Sequence, residues 1–486
     1  MSQWRLPGAV DDRHTFFAHA LALAAAHGPG PWPDGGYPLP DEESPPVMSG
    51  SVHDGIRTHH FAVNDGTQAA VKIAEAIGAI VESPPDLVAV QRLHDLIAEH
   101  DTLTIADPLT DRLLGADRDR VREVGRWLAE YGTRRDAVAT GIVLIGLTGD
   151  ERDRELLLLL GSMEDLALYA VVALGRTQSD RDMAIFELAR RVRAWGRIQA
   201  VERLEGTTDP EIKAWLLREG FRNGVMNEYL AYIAATTGGL ADALTESEVD
   251  DEVLDAAGDI LAALSDVGGP AKDIRSYPEG HAMIDRYLAV VRHRPSVSRI
   301  RAVLQLDQYL EDGRCKQLLT DLAWIGVVRR ALDSADLDTF TDALWPAKQI
   351  GLKTADRIAA WLERYPCEWG LWIWFRDAED AVKTAERLLP LEDLVTGPAL
   401  EHGFGPEFQA DRALGLVVER EDVRSWPLVK TALSNRLIRN RIAAVRALKA
   451  WPRDSLPADA LPAVRAAAAI EPDNEIKSAL TELLAV

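Results

Sequence analysis

The 486-residue sequence predicts an all-α protein built from stacked helix pairs. Three observations support this fold class. Apolar residues recur at helical spacing along most of the chain, no stretch alternates long enough to predict a β-sheet, and similar helix-turn-helix units return about every 30 residues. A single helix pair of this kind cannot bury its apolar faces alone, so we expect the pairs to stack into a solenoid.

Composition limits the classes of function. The chain has 77 acidic and 54 basic residues, a formal charge of −23, so we expect no general affinity for nucleic acid or anionic membranes. No apolar stretch is long enough to span a membrane, and the N-terminus lacks the pattern of a signal peptide. Cys315 and Cys367 are the only cysteines. We therefore expect a cytoplasmic protein without a disulfide framework.

Residues 1–110 are predicted to form an N-terminal helical cap. They hold eight of the eleven histidines and a loop, 28–50, that is rich in Pro and Gly. Pro lacks a backbone donor and Gly is costly to order, so this loop favours neither helix nor sheet. After it, residues 64–100 predict two helices separated by the Ser83-Pro84-Pro85 break, the second capped by Asp86.

Repeated units define the next segment, residues 111–240. RDRVREVGRWLAEYG is followed by RRDAVATGIVLIGLTG, and AVVALGRTQSD recurs as AVERLEGTTD. An acidic or hydroxyl residue opens each unit, at Asp117, Asp150, Ser179 and Asp209. Each unit is therefore predicted to be a helix, a short turn and a second, more apolar helix.

The remaining chain is predicted as two further segments. Residues 241–430 keep helical spacing but not a clear period, so they are interpreted as divergent helical repeats. Residues 431–486 bring back the repeat phrase as AAVRALKAWPRD, preceded by LSNRLIRNR. They are predicted to be C-terminal repeats of the same kind.

The phrases AVVALG, AVERLEG and AAVRAL resemble the second-helix signature of HEAT-like repeats in their short form. This resemblance implies a right-handed superhelix with a concave binding face. The C-terminal part, from LSNRLIRNR onward, also resembles a poorly characterised bacterial HEAT-type family sometimes labelled limonene hydroxylase. That activity is not carried over, because the chain lacks a haem-thiolate loop and a GxGxxG flavin motif. We expect no cofactor.

The stretch SVHDGIRTHH contains candidate metal ligands in His53, Asp54, His59 and His60. Imidazole and carboxylate groups could bind zinc, iron or manganese. With His19 upstream and Asp117 downstream, the His53-Asp54 pair also follows the order of ligands in HD-type metal phosphohydrolases. Those enzymes carry the pair inside a helix, whereas Asp54-Gly55 favours a turn. We interpret the stretch as a structural turn without a metal.

Two further clusters are candidate binding surfaces. WGLWIWF carries Trp369, Trp372 and Trp374 and is apolar all round, which favours a buried helix, although one or two rings could contact a small apolar ligand or a partner. ELARRVRAWGRIQAVER predicts one amphipathic helix with Arg190, Arg193 and Arg197 on a single stripe. HEAT-like DNA glycosylases hold phosphates with such helices. Nearby acids favour a solvated face instead, and no nucleic acid is expected.

No G-x-S-x-G, Walker, CxxC or H-E-x-x-H motif occurs in the sequence. The preferred hypothesis is a non-catalytic scaffold that recognises a protein partner on its concave face. The alternative is an enzyme or small-ligand-binding protein whose site lies where the N-terminal loop meets the solenoid. That enzyme would be a metal-dependent hydrolase or would resemble a DNA glycosylase.

Overall fold

The computed structural model describes residues 4–8, 14–42, 49–60, 66–245, 248–269, 271–403 and 405–485. The protein is 69% helical, and these residues form no β-strand, which confirms the predicted all-α class. One isolated parallel bridge joins Glu401 and Leu437.

The chain divides into two compact units. Unit 1 comprises Met1–Arg294 and Ala302–Cys315, and unit 2 comprises Pro295–Arg301 and Lys316–Val486. The helices up to residue 291 are α1 Phe16–His27, α2 Gly50–His60, α3 Thr67–Glu82, α4 Leu87–Ile97, α5 Thr102–Leu113, α6 Arg118–Tyr131, α7 Arg135–Thr148, α8 Arg154–Gly161, α9 Glu164–Thr177, α10 Arg181–Arg191, α11 Ala194–Glu202, α12 Pro210–Trp215, α13 Glu228–Thr236, α14 Leu240–Thr245, α15 Asp251–Leu264 and α16 Gly280–Val291.

The remaining helices are α17 Val297–Leu310, α18 Arg314–Leu319, α19 Leu322–Leu332, α20 Leu337–Asp342, α21 Leu344–Gln349, α22 Ala355–Leu362, α23 Trp369–Phe375, α24 Ala381–Leu388, α25 Gln409–Val418, α26 Trp426–Leu433, α27 Ile438–Ala450, α28 Ala460–Ile470 and α29 Asn474–Ala485. A π-helical turn, Leu216–Gly220, continues α12. The sequence-based boundaries at 110/111, 240/241 and 430/431 fall within α5, α14 and α26.

Every second helix from α5 to α15 belongs to a continuous row. In this helix row, α5, α7, α9, α11, α13 and α15 each pack against the next member. The intervening helices α6, α8 and α10 pack against α7, α9 and α11 respectively. Each of these helix pairs therefore buries its apolar residues between its own members and against its neighbours.

Residues 14–42 and 49–60 contact both sides of these helix pairs, and we call them the N-terminal segment. Helix α1 packs against α6 and α8, whereas α2 packs against α9 and α11 of the row. Between them, the Ser162 hydroxyl donates to the Pro29 carbonyl at 3.2 Å, and a 3-10 turn at Pro33–Gly36 lies against α9. The segment thus passes across the turn between α8 and α9.

Local capping explains where several helices begin. The carboxylates of Asp86, Asp117 and Asp209 accept backbone N–H bonds in the first turns of α4, α6 and α12. This confirms the cap predicted at Asp86. Asp150 caps the 3-10 turn before α8. Helix α10 is preceded by Asp180, one residue after the predicted Ser179.

Two glycines allow α6 and α7 to approach closely. A methyl group on Gly141 would lie 2.8 Å from the backbone nitrogen of Ala129 and 2.8 Å from the carbonyl oxygen of Gly125. Backbone atoms cannot move aside as a flexible side chain can. Close packing of this first helix pair therefore requires glycine at position 141.

Unit 2 contains a second alternating arrangement. Helices α23, α25, α27 and α29 pack in succession, with α26 against α27 and α28 against α29. The LSNRLIRNR motif supplies its polar centre, where the fully buried Arg441 makes two hydrogen bonds, of 2.8 and 2.9 Å, to the Glu471 carboxylate. This pair links the start of α27 to the turn before α29.

None of the helices in the described part of the chain combines the length and the apolar character that crossing a lipid bilayer requires.

Replacing Gly141 with Ala is expected to lower the free energy of unfolding by about 1 to 3 kcal/mol, because the added methyl group overpacks the contact between α6 and α7. Gly78→Ala is the matched control, since a methyl group at this position within α3 would meet no atom within 4 Å. That change should raise stability by about 0.5 to 1 kcal/mol through helix propensity. Chemical unfolding of the full chain would measure both, and equal effects of the two substitutions would contradict the close approach.

Candidate functional site

The histidine-rich stretch is a helix, so the predicted turn at Asp54-Gly55 is wrong. Residues 50–60 form α2, and Gly55 lies in its middle. A methyl group on Gly55 would overlap the indole ring of the buried Trp195 in α11. Gly55 is therefore explained by the close approach of two helices rather than by a turn.

Arg135, the first residue of α7, joins α2 to the helix row. Its Nη2 donates to Oδ2 of Asp54 in α2 at 2.5 Å and to the backbone carbonyl of Asp165 in α9 at 3.2 Å. Tyr169 donates its hydroxyl to the same Asp54 oxygen at 3.0 Å. The Asp54 carboxylate thus has two donors from two row helices, as a buried charge requires.

Asp165 caps α2 from outside that helix. Its carboxylate accepts the backbone N–H of Ser51 and the hydroxyl of Tyr37, which comes from the loop after α1. Burial, followed by the charge of Asp165, raises the pKa of Tyr37, so the phenol remains a donor. One carboxylate of α9 therefore holds both the start of α2 and the preceding loop.

His59, near the end of α2, uses both ring nitrogens. Nε2 lies 2.9 Å from a carboxylate oxygen of Glu202, and Nδ1 lies 2.9 Å from the carbonyl oxygen of Gly55. Both partners are acceptors, so the imidazole donates to both at once when it is protonated. The bond to Glu202 is also the main cause that raises the pKa of His59.

The other candidate metal ligands are separated from one another. His53 is exposed, Asp54 bonds to Arg135, and the side chain of His60 lies outside the described residues. The His53-Asp54 pair does lie in a helix, so the turn-based argument against an HD-type arrangement was wrong. Even so, His19 bonds to the Gly36 carbonyl and Asp117 caps α6. Among the described residues, no three His, Cys, Asp or Glu side chains are grouped to hold a metal ion.

A cavity of about 490 Å³ lies beside His59, and we call it the α2 cavity. Four helices of the row, α5, α7, α9 and α11, form this cavity together with the end of α2. Its lining residues are Thr58, His59, Leu103, Ala106, Asp107, Thr110, Val143, Gly146, Leu168, Tyr169, Val172, Ala173, Arg176, Gln199, Glu202 and Arg203. The combination of an aliphatic surface and a few polar groups is typical of small-molecule sites.

The buried carboxylate of Glu164 caps the start of α11. Its two oxygens accept the backbone N–H groups of Arg193 at 2.6 Å and Gly196 at 3.0 Å. Burial raises the pKa of Glu164 to about 7, although these two bonds oppose the shift. This cap also interrupts the predicted amphipathic helix.

The single arginine-bearing helix predicted over residues 187–203 is therefore wrong. Val192 and Arg193 are extended between α10 and α11, so Arg190, Arg193 and Arg197 do not share one helical stripe. Arg197 is buried and donates to the backbone carbonyls of Val192 and Arg222 at 3.1 and 2.9 Å. A partner-binding role for these arginines stays a prediction.

The tryptophan cluster of unit 2 is buried on one side only. Trp372 is fully buried in α23, and its indole N–H donates to the Pro366 carbonyl at 2.7 Å. Trp369 and Trp374 are half-buried, and the guanidinium of Arg412 lies 3.4 Å from the ring centroid of Trp369. A role in binding a ligand or a partner stays a prediction for these rings.

Of the polar residues lining the α2 cavity, His59 was a candidate from the sequence and the others were missed, although the repeats carry a signal for two of them. Aligning AVVALG with AVERLEG places Val172 opposite Glu202 and Ala173 opposite Arg203. All four residues line the cavity. A charged pair at positions that are apolar in the sister repeat is therefore the sequence signal from which this surface could have been identified.

The chain matches no protein-family model, no curated protein and no solved structure. The resemblances to HEAT-like repeats and to the limonene hydroxylase-type family remain predictions from the sequence. The basis for a functional proposal is the geometry of the α2 cavity.

His59→Ala is expected to lower stability by about 1 kcal/mol below pH 6.5, because it removes the charged bond to Glu202. The folded-state pKa of His59 is raised above the unfolded value of 6.5, so this contribution is full at lower pH and disappears as pH rises through the folded-state pKa. Thermal unfolding of wild type and variant across this range measures it. The exposed His53 in the same helix gives the control His53→Ala, and a loss independent of pH would contradict the ion pair.

Glu164→Gln is expected to flatten the dependence of stability on pH. The folded-state pKa of about 7 lies above the unfolded value of 4.5, so the wild-type protein loses stability from this group as pH rises from 4.5 to 7. Glutamine removes that slope and adds a constant loss, because its amide nitrogen cannot accept a backbone N–H. Melting temperatures measured across this window test the slope, with exposed Glu155→Gln as the control. Parallel profiles of wild type and Glu164→Gln would refute the assignment.

Proposed function

We propose that the chain is a HEAT-like repeat protein that binds a small amphipathic molecule in the α2 cavity. Two features support the repeat assignment: the sequential packing of α5, α7, α9, α11, α13 and α15, and the intervening helices that pack against three of them. In this proposal the row forms the concave wall of a right-handed superhelix, and the N-terminal segment is a cap that folds onto it.

The observation that carries the proposal is that five helices contribute side chains to one cavity. Its volume of about 490 Å³ lies within the usual range for small-ligand sites, roughly 300 to 1,000 Å³. Leu103, Val143 and Leu168 supply aliphatic surface, whereas Gln199 and Arg203 supply polar groups. A ligand with an apolar body and a polar end would satisfy both kinds of surface.

The geometry favours binding over catalysis. His59 is the imidazole at the cavity, and both of its nitrogens are already hydrogen-bonded, to Glu202 and to the carbonyl of Gly55. A general base needs an unprotonated nitrogen within reach of the substrate. His59 therefore has a structural role, in which its hydrogen bonds fix the end of α2 against α11.

The predicted protein partner on the concave face, the absence of nucleic-acid binding and the cytoplasmic location stay predictions. A small ligand in the α2 cavity is compatible with each of them. It belongs to the alternative class of function from the sequence, a small-ligand-binding protein, but that hypothesis placed the site at the N-terminal loop, 28–50, and none of the described residues of this loop lines the cavity.

Ligand-observed NMR with a mixed fragment set tests the binding function on the full chain. We expect amphipathic fragments to bind wild type and to lose binding in Ala106→Trp, because the indole fills the cavity from α5. The matched control is Ala26→Trp, which introduces the same side chain at an exposed position of α1 outside the cavity. The proposal fails if no fragment binds, or if the binding fragments are unaffected by Ala106→Trp.

A further inference from the structure

Arg203 is a half-buried cation that has no acidic partner among the described residues. It lies directly after α11, and its Nη1 donates to the backbone and side-chain oxygens of Gln199 at 2.7 and 3.1 Å. Burial lowers the pKa of Arg203, and the nearby charge of Glu202 only partly opposes this. Its remaining N–H groups are therefore available at the cavity it lines.

Arg176 provides a second guanidinium group. It lies in the last turn of α9, the row helix that packs against α11, and it also lines the cavity. Arg176 is exposed and forms no ion pair or hydrogen bond within the described part of the chain. By contrast, the arginines Arg57 and Arg135 at the other side of α2 are paired with aspartates.

The charged residues lining the cavity favour a ligand with a single negative charge. Arg176 and Arg203 are cationic, whereas Asp107 and Glu202 are acidic, and Glu202 lies 2.9 Å from Nε2 of His59. One carboxylate can pair with the guanidinium groups. A second negative charge on the ligand would meet repulsion from Asp107 and Glu202.

The surface next to the two arginines is aliphatic. Leu103, Val143, Leu168 and Val172 come from α5, α7 and α9, and all four side chains face the cavity. The preferred ligand therefore needs an apolar body as well as an anionic group. A guanidinium also binds a planar carboxylate through paired N–H bonds, which an ammonium group cannot do.

Building on the proposed binding function, we infer that the ligand is a monocarboxylate with an apolar body, whose carboxylate binds Arg176 and Arg203. The apolar body lies on the aliphatic surface of α5, α7 and α9. In this arrangement the ligand supplies the acidic partner that Arg203 lacks in the free protein.

Matched pairs of compounds test the inference on the full chain. Isothermal titration calorimetry would compare carboxylates with their primary amides across a set of apolar bodies, including 4-butylbenzoate and 4-butylbenzamide. We expect the carboxylates to bind at least about ten-fold more tightly, as loss of a charge-assisted bond predicts. Arg176→Ala and Arg203→Ala should each weaken carboxylate binding and leave amide binding unchanged, which also shows that the variants are folded. Arg190→Ala, an arginine outside the cavity, is the control.

The outcomes separate this inference from the binding function. Equal affinities for carboxylates and amides, both lost in Ala106→Trp, would overturn the carboxylate assignment and leave the binding function in place. Carboxylate binding that is unaffected by Arg176→Ala and Arg203→Ala would also overturn it. The carboxylate assignment is also overturned if Ala106→Trp weakens the binding of none of the carboxylates tested.

Discussion

Arg135 places a positive charge at the start of α7, where the helix dipole disfavours a cation. The N-terminal segment depends on the groups that compensate this charge. Asp54 provides a direct hydrogen bond of 2.5 Å, and the carboxylates of Asp136 and Asp165 lie 3.6 and 3.8 Å from the guanidinium. Removing Asp54 would leave a largely buried arginine with less compensation. The ion pair with Asp54 that compensates the charge of Arg135 therefore also attaches α2 to the helix row.

Carboxylates that cap another element are a recurring feature around this ion pair. Asp41 accepts the backbone N–H of Arg135 at 2.8 Å, Asp136 accepts that of Thr102 at 2.9 Å, and Glu164 caps α11. Each acid satisfies a donor that lies far away in sequence. Part of the acidic excess of the chain thus serves to satisfy helix N-termini where the N-terminal segment and the repeats meet.

The sequence predicted those structural features that depend on residues close to one another along the chain. Asp86 was identified as a cap because the donor it binds is two positions away, and Asp117, three positions from its donor, was identified as the start of a unit. The helical state of α2 was missed because Gly55 is explained by Trp195, which is 140 positions further along the chain. The break before α11 was missed for the same reason, since its cap is Glu164 from another helix. The cavity was likewise unforeseen, because its lining comes from five separate helices.

The composition of α2 has a consequence for how the protein unfolds. Val52 and Ile56 are its only aliphatic side chains larger than a methyl group, and both remain partly exposed. An isolated helix of 11 residues is marginal in water, so α2 owes its helical state to the polar contacts that dock it. Hydrophobic burial instead holds the repeats together. Acid or high salt weakens the first kind of contact more than the second. We therefore expect α2 to detach in acid or high salt while the repeats remain folded.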